Sequence, residues 1–179
     1  EYIKNKAIDE ILNVKIIDPA CGSGSFLIRA FQELCDTIED KLKKGKKGSK
    51  ILFKDYKDRL NLGQKIEIML NCIYGVDLDE KAVELAQLNL LLKILEEETR
   101  DTKKRILPNM KNNIKNGNSL IDDFKVAGDK AFNWNAQFPD VFKQGGFDVV
   151  VGNPPYGAEL KENEKKYLKK KFDEDKTGN

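Results

Sequence analysis

A chain of 179 residues fits one domain and can bury a sizeable core, and its 32 Lys and Arg against 30 Asp and Glu leave a formal charge of only +2. Any basic surface for a polyanion must therefore be local. Histidine is absent, which excludes histidine general bases, His–Cys pairs and most zinc sites; three cysteines without paired spacing, and no secretory or membrane-length apolar run, predict free thiols, a reducing cytoplasm and no membrane partner.

Ile3, Ala7, Ile8 and Ile11 share one helical face, predicting a short amphipathic helix over 1–12. Val14 to Ile17 predicts a strand ending at Asp18-Pro19. The loop Asp18-Pro19-Ala20-Cys21-Gly22-Ser23-Gly24 then runs into a helix with Leu27, Phe31, Leu34, Ile38 and Leu42 in one buried stripe. Strand, glycine loop and helix together offer free backbone N–H groups and close approach to a nucleotide-like ligand. A phosphate loop would need Lys-Ser/Thr after its last glycine, where Ser25-Phe26 stands; a dinucleotide fingerprint would need a small third residue, where Leu27 stands. An acidic residue opening the loop suits a ligand with a cationic near end, such as the amino-acid part of S-adenosylmethionine. A tight structural turn is the plain alternative.

Lys41, Lys43, Lys44, Lys46, Lys47 and Lys50, with Gly45 and Gly48 among them, read as a solvated excursion, with phosphate-backbone contact as the alternative. A partly helical stretch over 51–70, around Tyr56 and Leu60, completes an insertion spanning about 41–70. Cys72 to Asp77 predicts the next strand. At its carboxyl end Asp77 can accept both ribose hydroxyls of an adenosine, or it can cap the following helix, for which Asp79 is the more natural cap. Val83, Leu85, Leu88, Leu92 and Leu95 line that helix up to Glu96-Glu97-Glu98. Beyond Pro108, Asn113 to Asn116 predicts a third strand leading to Gly117-Asn118-Ser119-Leu120, either an adenine-edge contact with Leu120 against the face or a plain Asn-Gly turn. Phe132, Trp134, Phe138 and Phe142 predict a loop packed onto the core, with base stacking as the alternative.

The last strand, Phe147-Asp148-Val149-Val150-Val151, reads as buried and is stopped by Gly152-Asn153-Pro154-Pro155-Tyr156-Gly157. Ligands gather outside the carboxyl ends of strands in open α/β sheets. Here Asn153 offers an amide oxygen, Pro154 a carbonyl with no N–H of its own, and Tyr156 a flat ring that stacks on a base. Two acceptors facing an exocyclic NH2 draw its hydrogens out of the ring plane and leave a more nucleophilic nitrogen. An ordinary strand-to-loop turn is the alternative. Leu160, Leu168 and Phe172 mark one face of a closing Lys/Glu-rich helix.

With Asp18-Pro-Ala-Cys-Gly-Ser-Gly24, Tyr74-Gly-Val-Asp77 and Asn153-Pro-Pro-Tyr156 in that order, the chain resembles the adenine-N6 DNA methyltransferases of restriction–modification systems, members of the S-adenosylmethionine-dependent methyltransferase superfamily. Gly117-Asn-Ser-Leu120, Phe138-Pro-Asp-Val-Phe142 and Gly146-Phe-Asp148 extend the likeness from Tyr2 to the last helix. The resemblance implies an α/β, Rossmann-like, mostly parallel sheet in the order 3-2-1-4-5-7-6, of which 1–179 would hold strands 1 to 4. That makes it a partial catalytic domain without a target-recognition domain. Its partners would be double-stranded DNA and the remainder of the polypeptide or a specificity or nuclease part, in a prokaryotic cytoplasm.

Roles follow from the same resemblance. Asp18, Ala20, Cys21, Gly22 and Gly24 would hold the methionine part of S-adenosylmethionine, Asp77 the ribose, and Leu78 with Asn118, Ser119 and Leu120 the adenine. Asn153 and the Pro154 carbonyl would bind the target amino group, Pro155 completes the motif, and Tyr156 would stack on the flipped adenine, with no metal in the transfer. Many relatives have Asp where Asn118 stands. Rival readings are a methyltransferase for cytosine N4, RNA guanine or protein glutamine, and, from another class, a non-catalytic nucleic-acid-binding part of an assembly.

Overall fold

The structure, a computed structural model, describes residues 2–46, 59–96, 107–153 and 160–177. Strands β1 (Ile16–Asp18), β2 (Ile73–Asp77), β3 (Ile114–Asn116) and β4 (Val149–Val150) form one parallel sheet in the order β3-β2-β1-β4. Ile16 pairs with both Ile73 and Val149, and Ile17 with both Tyr74 and Val150. Side chains alternate across a strand, so this register divides the interior into two cores. Ile16 and Ile73 face α1 (Ile8–Ile11), α2 (Ser25–Lys43), α3 (Leu62–Cys72) and α4 (Glu80–Leu95). Ile17 and Val76 face the other way, toward Phe132, Phe138 and Val141. After β3 comes α5 (Phe124–Ala127); the second face is covered by α6 (Trp134–Gln137), α7 (Pro139–Lys143) and the loops around them, and α8 (Glu162–Thr177) packs against α5.

The expected stripe of α2 is buried in full, and Asp79 caps α4 by accepting the Lys81 N–H at 2.9 Å. Asn61 and Gln64 form a reciprocal capping box at the start of α3. The aromatic cluster packs onto the sheet: Phe138 meets Tyr74 and Phe147 edge-on at 5.6 and 5.4 Å between ring centroids.

Four expectations need correction. The first helix is one turn, Ile8–Ile11, because Ala7 is extended and its N–H is taken by the Glu10 carboxylate at 2.6 Å. Lys41 belongs to α2 and is buried, its Nζ donating to the Lys4 carbonyl at 2.7 Å, and α3 buries Ile68 and Met69; the solvated excursion therefore narrows to the chain between α2 and α3. Its residues 47–58 lie outside the described ones. On α4 the buried residues are Val83, Ala86, Leu90 and Ile94, while Leu85, Leu88 and Leu92 are exposed. That helix is apolar nearly all round, so spacing alone picks no face; the contact between Ala86 and Gly24 does, since a Cβ on Gly24 would lie 3.2 Å from the Ala86 Cβ. Finally, β4 is an edge of the described sheet and its Val150 is 68% exposed rather than buried.

Candidate active site

Parallel strands open their carboxyl ends along a single rim. Asp18 ends β1, Asp77 ends β2, Asn116 ends β3, and β4 leads through Gly152 to Asn153. The Asp148 carboxylate accepts the Lys15 N–H at 2.7 Å and Val151 donates to the Ile17 carbonyl at 2.9 Å, which locks β4 alongside β1. Gly152, at φ +149, lies so close to β1 that a Cβ there would sit 2.6 Å from Asp18 Oδ1. The glycine loop and Asn153 thus open side by side. Asn153 itself is exposed; Pro154, Pro155 and Tyr156 lie outside the described residues.

The glycine loop is fastened to its neighbours by backbone bonds. Cys21 N–H donates to Val76 O at 2.9 Å and Gly22 N–H to Asp77 Oδ2 at 2.7 Å. The second Asp77 oxygen accepts the Asp79 N–H at 2.9 Å, so the carboxylate is held at both ends while each oxygen keeps a further lone pair for a ligand. Gly22 adopts φ +52 with nothing within 4 Å of where a Cβ would be, leaving open space in front of the loop. Ala20 donates its N–H to Asp18 Oδ1 at 3.0 Å.

Two ionisable groups are perturbed here. Burial pushes the Asp18 carboxyl up from its ordinary value, the Ala20 N–H pulls it back, and neighbouring Asp77 adds to the rise. Burial, then Asp77 and Asp18, push the Cys21 thiol up to about 12. Cys21 is therefore a neutral packing residue and no nucleophile.

On the β3 side, Leu78 and Leu120 stand 55% and 60% exposed at the same rim. Asn118 bends the loop that carries Leu120, its Oδ1 accepting the Leu120 N–H at 3.1 Å, and Trp134 Nε1 donates to the Ser119 carbonyl at 3.0 Å. Three residues that spacing did not single out brace this rim. Asn89 of α4 donates to the Ser23 carbonyl at 3.0 Å; Asn116 donates to the carbonyls of Asp77 and Leu78, both at 2.9 Å; and Lys130 donates to Asn116 Oδ1. Asn89 sits among apolar neighbours, Leu88, Leu90 and Leu91, but its bond to Ser23 has no local signal in the sequence.

A family model described as "Eco57I restriction-modification methylase" matches residues 71–179. The type II restriction enzyme and methyltransferase RM.Eco57I of Escherichia coli is 43% identical over 162 residues, 88% of this chain and 16% of that protein. The chain belongs to the Eco57I restriction-modification methylases. A second model, "RMKL-like, methyltransferase domain", matches residues 12–115, so that the two together take in all four strands. A putative type II restriction enzyme and methyltransferase of Methanocaldococcus jannaschii is 38% identical over 124 residues, covering 68% of the chain and 10% of its own length. The adenine-specific methyltransferase PglX of Streptomyces coelicolor is 26% identical over 184 residues, covering 87% and 14%. This chain of the Eco57I family thus spans at most 16% of the length of these relatives. Its sheet, parallel with helices on both faces, is the Rossmann-like arrangement of the amino-terminal part of a methyltransferase domain.

Proposed function

We propose that the chain is the cofactor-binding and amino-group-binding part of an enzyme that methylates DNA at the N6 amino group of an adenine turned out of the duplex. The observation that carries this reading is the approach of Gly152 to Asp18, which brings the strand end preceding the acceptor Asn153 against the acidic residue that opens the glycine loop. The names of RM.Eco57I and the adenine-specific PglX favour the same substrate.

S-adenosylmethionine would supply an activated methyl group, and the residues present fit it. Asp18 and Asp77 make an acidic pair suited to its cationic end and ribose hydroxyls, Gly22 leaves room, and Leu78 and Leu120 flank a flat base. The Asn153 amide oxygen accepts an N–H of the target amino group and, with the Pro154 carbonyl, exposes the nitrogen lone pair; Tyr156 holds the base by stacking. Asp18, Cys21 and Asn153 supply no strong base, and the departing proton goes to water. Positioning carries the rate.

The test uses the single tryptophan, Trp134, whose indole is bonded to the adenine-side loop. Titration with S-adenosylmethionine should change its emission saturably in the wild type and shift to weaker affinity in Asp77→Ala. A titration that leaves Asp77→Ala and wild type indistinguishable removes Asp77 from the site. Transfer of labelled methyl groups to unmodified DNA, compared with RNA and glutamine peptides, then decides the substrate class.

A further inference from the structure

The helix that follows the candidate catalytic loop is fastened at the far end of the sheet. β4, which leads to Asn153, lies at one end of the order and β3 at the other, roughly 14 Å apart at an inter-strand spacing of about 4.8 Å. Yet α8 packs against α5, which follows β3. Lys171 Nζ reaches both oxygens of Asp122 at 2.9 Å, Tyr167 OH donates to Asp122 Oδ1, and Lys171 Nζ lies 3.1 Å from the Tyr167 oxygen. Nearer the start of the helix, Asn163 donates to the Val126 carbonyl at 3.4 Å. The Tyr167 and Lys171 bonds hold the Asp122 carboxyl below the ordinary carboxylate range.

Asp122 stands two residues beyond Leu120, and Leu120 shares an open hollow of about 480 Å³ with Leu168, Lys169, Lys171 and Phe172 of α8. A cofactor that fixes the Leu120 side chain therefore fixes a residue that borders α8. A ligand shifts a conformational equilibrium only through such differential contacts.

We propose that the Asp122–Tyr167–Lys171 clasp is a positioning device that holds α8 beside Leu120, so that cofactor occupancy is transmitted to the helix following the Asn153 loop. It rests on the assignment of Leu120 to the cofactor. Asp122 touches no reacting atom and acts through α8. Because the ion pair is partly exposed, its loss leaves the fold standing, and a coupling defect is separable from unfolding.

Hydrogen exchange of the amides in 162–173 is measured with and without S-adenosylmethionine, with Trp134 emission and calorimetry recording binding. In the wild-type chain the ligand should slow exchange in α8 at least about 5-fold, the low end of ordinary coupling. Asp122→Asn and Lys171→Met should bind the ligand and lose the slowing; the charge-reversed pair Asp122→Lys with Lys171→Asp should regain it. Binding without any response in wild-type α8, an equal response in Asp122→Asn, or no recovery in the reversed pair overturns the clasp and leaves the cofactor site intact. A wild-type chain that binds no S-adenosylmethionine by either measure sinks the cofactor assignment and the coupling with it.

Discussion

At the side of the rim proposed to hold the cofactor, the loop from Asp18 to Gly24 is tied to β2 through Val76 and Asp77 and to α4 through Asn89, and it stands on a core that includes Leu27 and Phe31. At the side proposed to take the target base, Asn153 is exposed beyond the end of β4, a two-residue strand paired only with β1 among the described residues. The first half is pre-organised by the fold of this chain alone. The second has its position along the sheet set by β1, through Asp148 and Val151, and little else around it. Preorganisation belongs where a small ligand must be gripped before reaction, whereas a base entering from a duplex needs an approach that is not already packed.

The sharpest way to break this contrast is to remove what the cofactor loop stands on. Phe31, 2% exposed, packs in the core on the buried stripe of α2, the helix that the loop enters, and Phe31→Ala should cost about 3–5 kcal/mol of stability. Denaturant unfolding measures it; a loss under about 1 kcal/mol would mean that the loop does not depend on that core. Next comes the target side. Asn153→Ala should lower methyl transfer to DNA by about 10²–10³-fold, the scale for losing one preorganised partner of a reacting group, while the dissociation constant for S-adenosylmethionine stays unchanged. Equal loss of binding and transfer would merge the two halves into one.

Asp77→Ala should weaken the cofactor by roughly 10–100-fold, the range for hydrogen bonds to a charged group. Calorimetry reads it directly. Asp18 gives the same loop a pH signature. Burial raises its carboxyl above 3.8, so the folded chain prefers the protonated form. That preference stabilises the ligand-free chain fully below the ordinary value and is lost as pH rises through the raised one. Asp18→Asn should therefore raise the melting temperature of the ligand-free chain at neutral pH while weakening cofactor binding. In the wild type, affinity should fall as pH drops through the window just above 3.8, because a cationic ligand requires the carboxylate. The same melting temperature and the same pH dependence in Asp18→Asn would detach Asp18 from the ligand.

Much of the cofactor half was legible in the sequence because local and long-range signals agree there. The α2 stripe, the acidic strand ends and the Asp79 cap each follow from spacing or position. Where the signal was degenerate, the reading went astray. On α4 the apolar residues are spread round the helix, so the buried face was decided by the close fit of Gly24 on Ala86, a long-range contact that periodicity does not carry. Lys41 looked like one more solvated lysine, yet its stem is buried and its charge answers the Lys4 carbonyl, a partner no local pattern names. Asn116 and Lys130 brace the β3 side of the rim through bonds to the ends of other segments, and such pairings appear only once strand order is known. Beside Asn153, the run of valines foretold a strand and the family resemblance its neighbour β1, but neither foretold which face would be covered.

The smallest expected effect lies on the exposed face of β4. Val149 and Val151 pack against the core shared with Ile16, whereas Val150 points to the face of Ile17 and is 68% exposed. A β-branched polar residue keeps the strand propensity, so Val150→Thr should change the stability of this chain by no more than about 0.5 kcal/mol. Val149→Thr, which puts a hydroxyl against a packed core, should cost about 1–3 kcal/mol. If both substitutions cost the same in denaturant unfolding, Val150 is not at an open edge and the target half is as fully enclosed as the cofactor half. If instead the cost of Val150→Thr rises only in a longer polypeptide containing this chain, the edge beside Asn153 is covered by residues outside 1–179, and the target half is completed from there.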